Sequence, residues 1–333
     1  MTIWTFLGRQ WTVLPPAPKG DYLKGKVVLM TGANSGIGLE SLKHFVQASP
    51  SKLILCVRSI KSTEKILGEL QSLHPDLKAE IVFLDLCDLH TIKVLPDELR
   101  KRGVEKIDVL INNAGANPGN ASKPPEFTKD NYEKTLQINV LSPFLLSLNL
   151  LSFLRESPAP KILFLGSGVH ASADVKHIET SLKEDKSIVR AFNEKDGDWY
   201  NNKQIYGISK LLLQMITRSL IPTLPEINVI TVSPGLAITN LGRDFNFNLA
   251  FYIFGAPFML LNARSAEKGA RNVSSAVALA DQSYDYWAEC GPSYSESSWL
   301  SSGNGIKATK AFYKEMIEEV EKISPGVTKG LIV

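Results

Sequence analysis

Short apolar runs alternate with longer segments of helical period along most of the chain. Val27–Met30, Leu53–Val57, Ile81–Leu84, Val109–Ile111, Ile162–Leu165 and Val229–Val232 are almost wholly apolar. Strands covered on both faces look like this, because neither face meets water, and parallel sheets are built from such strands. Between them lie Gly36–Gln47, Ser62–Leu73, Thr91–Lys101, Asn131–Leu154 and Gln204–Leu220, each of helix length. Ser265–Leu279 and an amphipathic stretch near Ile306–Ile323 predict two closing helices. The alternation predicts an α/β fold: one domain over residues 25–325, a doubly wound parallel sheet of about seven strands with helices on both faces.

Three stretches interrupt the rhythm. Residues 1–24 form a leader that carries Trp4, Phe6, Leu7, Trp11 and Leu14, broken by Arg9 and closed by Pro15-Pro16. It lacks the apolar core of a signal peptide. It is expected to dock on the protein body, with contact to a membrane surface as the alternative. Residues 170–203 are rich in Lys, Glu and Asp and predict a solvated insertion of loop and short helix. Leu249–Leu261 is apolar but interrupted by Gly255 and Pro257, and is too short to span a bilayer.

Composition narrows the function classes. Of 333 residues, 44% are hydrophobic and 21% charged, which is ordinary for a globular chain. A net charge of +3 is too small to argue for nucleic acid. The three cysteines, Cys56, Cys87 and Cys290, form no CxxC, and no HExxH occurs, so no metal site is expected. A reducing, cytoplasmic setting fits this cysteine usage.

The first strand runs into Thr31-Gly32-Ala33-Asn34-Ser35-Gly36-Ile37-Gly38. Glycines here let the backbone turn tightly and approach a phosphate. The helix that follows turns its unpaired N–H groups and positive dipole end toward it. Gly32, Ser35, Gly36, Ile37 and Gly38 are therefore candidate dinucleotide contacts. After the second strand, no acid appears until Glu64; Arg58 and Lys61 stand there instead. A guanidinium can grip the 2′-phosphate of NADP in a fork, which favours NADP(H) over NAD(H); a plain surface arginine is the bland alternative. Asp85 can accept from an adenine amino group or cap the next helix. Asn112 and Ala114, in Asn112-Asn113-Ala114-Gly115, place small and amide side chains where a ribose would lie.

Tyr206 and Lys210 are spaced i, i+4 and share one helix face. A tyrosine of pKa about 10 is a poor acid or base at neutral pH, and an adjacent ammonium is expected to lower that value. Ser167 follows an apolar strand, which puts its hydroxyl at the carboxyl edge of the sheet, where open α/β folds bind ligands.

TGANSGIG at 31–38, NNAG at 112–115, Asn139 in INVLSPF, Ser167, YGISK at 206–210 and SPG at 233–235 occur in this order. As a set they resemble the short-chain dehydrogenase/reductase superfamily over roughly residues 24–300, with a Rossmann-type fold. The resemblance implies a catalytic tetrad. Ser167 would polarise the substrate carbonyl and Tyr206 would pass the proton. Lys210 would hold the nicotinamide ribose beside Tyr206, and Asn139 would hold a water behind the lysine. It also implies that Gly235, Ala237 and Thr239 meet the nicotinamide carboxamide, and that a substrate lid occupies about residues 240–264. The 39-residue step from Ser167 to Tyr206 is far longer than in compact members. With Arg58 and Tyr286–Cys290, it looks like the retinol-dehydrogenase-like branch and like fungal reductases of secondary metabolism.

The expected function is NADP(H)-dependent hydride transfer to or from an apolar carbonyl or alcohol. A non-catalytic dinucleotide-binding module and a membrane-surface retinoid or lipid dehydrogenase are the alternatives.

Overall fold

A computed structural model describes residues 3–119, 124–194, 202–239, 241, 260–295 and 297–331. Its sheet runs through β1 (Val27–Thr31), β2 (Lys52–Val57), β3 (Ala79–Phe83), β4 (Val109–Asn112), β5 (Lys161–Leu165), β6 (Asn228–Val232), β7 (Tyr284–Ala288) and the two-residue β8 (Gly291–Pro292). The spatial order is β3-β2-β1-β4-β5-β6-β7-β8. All pairs are parallel except β7 with β8. The order reverses between β1 and β4, and open α/β sheets bind ligands beyond the strand ends at such a switch point. This is the Rossmann-type fold expected from the apolar runs.

Alternation along each strand divides the core in two. Val28 and Met30 of β1 pack toward α2 (Gly36–Val46), α3 (Ile60–Leu73) and a helix of the C-terminal part, Ala266–Leu279. Leu29 points the other way. On that face lie α4 (Leu89–Lys101), then a helical stretch built from α5 (Lys134–Leu136), a π-turn (Gln137–Leu141), α6 (Ser142–Asn149) and α7 (Leu151–Leu154).

The long gap before Tyr206 folds differently from expectation. It holds a 3-10 turn (Gly168–Ser172), α8 (Lys176–Lys183) and α9 (Ile188–Ala191). Ile178, Ile188 and Phe192 are at most 1% exposed and belong to the main core, so the segment is not merely solvated. α10 (Asn202–Thr223) follows, then α11 (Ala266–Leu279) and α12 (Gly303–Ile323). Glu315 of α12 accepts from Ser187 Oγ at 2.6 Å and from Val189 N at 2.9 Å, pinning the start of α9. From the insertion itself, Glu179 of α8 accepts from Trp299 Nε1 at 2.9 Å.

The leader begins with α1 (Ile3–Trp11), which packs on the body. Arg9 forms a fork on Glu289, with Nε at 3.0 Å and Nη2 at 2.6 Å from Oε2, and Trp11 Nε1 donates to Asn262 Oδ1 at 2.8 Å. Among the described residues, no helix is long and apolar enough to cross a membrane. Most of the expected lid, including Phe251, Tyr252, Phe254 and Phe258, lies outside the described residues.

Candidate active site

A cleft of about 760 Å³ opens at the carboxyl edge of the sheet. Its nucleotide half is made of backbone. Gly32 (φ +66°) and Gly36 (φ +54°) hold left-handed conformations that a side chain would strain. A Cβ on Gly38 would lie 2.1 Å from the Gly32 carbonyl oxygen, so α2 reaches β1 this closely only with glycine there. Ser35 precedes α2 in extended conformation without a side-chain cap, and no acid sits in the first turn. The first N–H groups of α2 are therefore left for an anion. Thr31 Oγ1 accepts from Asn113 N at 3.1 Å and Ala114 N at 3.0 Å, which ties the ends of β1 and β4 together.

Arg58 lies exposed at the end of β2 and lines the cleft with Asn34, Ser59 and Ser62. Asp85 lines it after β3; its Oδ1 accepts from Cys87 N at 2.9 Å. The cap of α4 is Asp88, which accepts from His90 N. Lys61 is exposed in the first turn of α3 and is not among the described residues that line the cleft.

Asn112 is placed elsewhere than expected. It follows Leu110 in the alternation of β4, so its side chain drops beneath α6 and donates to Ser147 Oγ at 3.1 Å. Asn113, one residue later, lines the cleft and donates through Nδ2 to the carbonyls of Thr31 and Gly32, both at 2.9 Å. The sequence signal for this is strand parity: the pair Asn112-Asn113 straddles the end of β4, and only the second faces the edge.

The chemical half gathers around α10. Tyr206 and Lys210 project from one face, with Lys210 Nζ 5.7 Å from the Tyr206 ring centroid. Ser167 caps the 3-10 turn after β5, and its hydroxyl hydrogen-bonds the Tyr206 phenol. Lys210 Nζ donates to Leu165 O at 2.7 Å. Asn139 sits in the π-turn, a widened turn often found at functional sites. Its Oδ1 accepts from Ala116 N at 2.8 Å, and its Nδ2 donates to Ala116 O and Ser209 Oγ, both at 2.9 Å. A methyl group on Gly115 would lie 3.2 Å from Asn139 Oδ1 and 3.6 Å from Lys210 Nζ, so Gly115 leaves these side chains their shared space.

The electrostatics correct one expectation. Burial pushes the Tyr206 phenol up to about 12, opposed by the hydrogen bond from Ser167. Burial pushes the Lys210 ammonium down to about 8. The phenol is therefore held protonated at neutral pH. A protonated phenol in contact with a serine hydroxyl is arranged to give a proton to an oxygen that gains negative charge.

The far wall comes from the turn after β6. Gly235 (φ +76°), Ala237 and Thr239 line the cleft. A Cβ on Gly36 would lie 3.3 Å from the Thr239 Cβ, so Thr239 closes over the start of α2. Gln10 of α1 braces this turn from behind: its Nε2 donates to Leu236 O at 2.7 Å and its Oε1 accepts from Leu236 N at 3.1 Å. Nothing local around Gln10 marks it, since its partner is 226 residues away. His170 is part of the support under Ser167. Its Nδ1 contacts Ser167 O at 2.6 Å, and its Nε2 contacts Ser295 Oγ at 2.7 Å.

The residues fit a dinucleotide. The glycine turn and open helix start suit a pyrophosphate, and the Tyr206–Lys210 face suits a ribose beside a reacting carbon. No cluster of His, Cys, Asp or Glu able to hold a metal occurs among the described residues.

Known proteins resemble this chain in sequence and in fold. Residues 26–177 match the short chain dehydrogenase family. A short chain dehydrogenase of Arthrobotrys oligospora is 27% identical over 94% of this chain and 97% of its own length. The short chain dehydrogenase atnD of Emericella nidulans is 30% identical over 83% of this chain and 86% of its own length. Among solved structures, NADPH-bound carbonyl reductase from chicken fatty liver superposes with a TM-score of 0.59 at 21% identity. That superposition covers 82% of this chain and 99% of the other. With relatives matched nearly end to end, the chain belongs to the short-chain dehydrogenase/reductase family.

Proposed function

We propose that this oxidoreductase is NADP(H)-dependent and reduces a carbonyl on an apolar small molecule, or oxidises the corresponding alcohol. The single observation that carries this reading is the Ser167–Tyr206–Lys210 cluster, joined by hydrogen bond and helix spacing at the edge of the cleft. The nicotinamide supplies the hydride when bound. Ser167 orients the substrate oxygen, and Tyr206 delivers the proton as that oxygen gains charge. Lys210 is positioned to hold the ribose, and Asn139 to back it through Ala116 and Ser209. Pyrophosphate would lie on Gly32–Gly38, the adenine near Asp85, and the carboxamide on the turn at Gly235–Thr239. A non-catalytic dinucleotide module would have no use for a buried lysine and a hydrogen-bonded serine beside the tyrosine.

NADP(H) is preferred because Arg58 stands at the end of β2 in the place where a carboxylate would select NAD(H). The motif likeness to fungal reductases of secondary metabolism and to the retinol-dehydrogenase-like branch supports an apolar substrate. It also supports a role in secondary-metabolite biosynthesis.

The experiment is a panel of aromatic and alicyclic ketones and aldehydes scanned for loss of NADPH absorbance, with NADH in parallel. Turnover with NADPH and weaker turnover with NADH is expected. Arg58→Ala should cost about 1.5–3 kcal/mol of NADPH affinity, ~10–150-fold in Kd, and leave NADH nearly unchanged. Equal dissociation constants for NADPH and NADH in the parent protein would refute the preference.

A further inference from the structure

The turn that follows β6 is gripped from outside the sheet by the N-terminal helix. Gln10 is 6% exposed, and its carboxamide meets both peptide groups of Leu236, one as acceptor and one as donor. A side-chain amide used in this way acts as an extra peptide unit paired to the turn. Leu236 O accepts a second bond from Arg264 N at 2.8 Å, and Ile238 N donates to Arg264 O at 2.9 Å. The turn is therefore clamped between α1 and residue 264. Gly235 is the point of closest approach: a Cβ there would lie 2.7 Å from Arg264 Nη1 and 3.1 Å from Gln10 Oε1.

α1 is itself firmly seated. Arg9 holds Glu289 and donates to Ser293 Oγ at 2.8 Å, and Arg264 Nη2 donates to the Arg9 carbonyl at 2.6 Å. Glu289 sits in the turn between β7 and β8 at φ +51°. The helix thus links the turn after β6 to the last strands of the sheet. Trp4 is exposed on its outward face, and Trp11, though largely exposed, still ties the helix to Asn262.

We propose that Gln10 is a positioning residue for the nicotinamide half of the cofactor. By satisfying the peptide groups of Leu236 from behind, it fixes the cleft-facing side of the Gly235–Thr239 turn, so that the turn is set before the cofactor arrives. This rests on the reading that the turn meets the carboxamide. The residues read as holding the adenosine half, the glycine turn, Arg58 and Asp85, follow β1, β2 and β3, whereas α1 bonds to the turn after β6 and to the turn between β7 and β8.

The test is direct binding to the full-length protein, measured by calorimetry, with NADPH and with 2′,5′-ADP, which carries the adenosine half alone. In Gln10→Leu the Kd for NADPH should rise about tenfold while the Kd for 2′,5′-ADP stays unchanged. Gln10→Glu keeps the acceptor for Leu236 N and loses the donor to Leu236 O, so it should fall between parent and Gln10→Leu. It carries the same test if the leucine variant does not fold. Equal weakening of both ligands, no weakening of either, or failure of both variants to fold would make Gln10 a structural fastener and overturn the proposal. If the parent itself binds NADPH no tighter than 2′,5′-ADP, the cofactor reading of the turn has failed instead.

Discussion

Up to β4, the walls of the cleft come from the ends of strands and the few residues after each. Gly32 and Gly38 follow β1, Arg58 follows β2, Asp85 follows β3 and Asn113 follows β4. From β5 onward the site is assembled from distant parts. Ser167 meets Tyr206 across an insertion, Gln10 meets Leu236 across most of the chain, and His170 meets Ser295. The first half binds with backbone, so it needs small residues and open N–H groups. In the proposed reaction the second half handles a proton, so it needs side chains brought from several elements to one point. Backbone geometry is encoded by neighbours in sequence; convergence of side chains is encoded by the tertiary fold.

Gly38→Ala should break the first half most severely. Its Cβ would collide with the Gly32 carbonyl at 2.1 Å, and backbone there cannot move without parting α2 from β1. NADPH binding by fluorescence titration should be lost at concentrations that saturate the parent. Gly68→Ala on α3, with open space around its Cβ, is the matched control and should bind normally. Binding retained by Gly38→Ala would show that the glycine turn is not what receives the phosphates.

Lys161→Met separates the fold from both halves. Lys161 is buried on β5 and donates to the carbonyls of Val277 at 2.8 Å and Ala280 at 2.6 Å, closing the end of α11. Its loss leaves those acceptors unpaired and should cost about 2 kcal/mol in denaturant unfolding. The Kd for NADPH should change by less than about twofold, since the site lies far from the lysine's contacts. A large change in Kd would mean that the cleft senses the opposite edge of the sheet.

A smaller effect comes from pH. Lys210 is pushed down to about 8 by burial, so it is charged below that pH and neutral above it. Carbonyl reduction should therefore be level below pH 8 and fall as pH rises, by about tenfold between pH 7 and pH 9. The check is kcat against pH with NADPH saturating. A level profile to pH 10 would mean that the charge on Lys210 has no bearing on turnover.

The parts legible in the sequence share a physical feature: local geometry forces residue identity. Apolar runs located β1 to β6 to within two residues, and the glycine turn announced itself because its conformations exclude side chains. β7 was not marked, since Tyr284–Ala288 mixes polar and aromatic residues where it nears the sheet edge. In the insertion Ile178, Ile188 and Phe192 follow no helical period, so nothing in their spacing marks that each reaches the core. Asn112 and Asn113 differ only in strand parity, which depends on where β4 ends. The i, i+4 spacing reveals the lysine but not the burial, and burial moves the Tyr206 phenol up and the Lys210 ammonium down.

The central claim is that Tyr206 gives the proton while the rest of the cleft holds the cofactor. The most direct measurement pairs NADPH titration with steady-state turnover for Tyr206→Phe, which keeps the ring and removes the hydroxyl. We expect an NADPH Kd close to that of the parent and a kcat lower by about 10²–10⁴-fold. A phenylalanine variant that keeps more than about a tenth of the parent rate would contradict the assignment of Tyr206 as the proton donor.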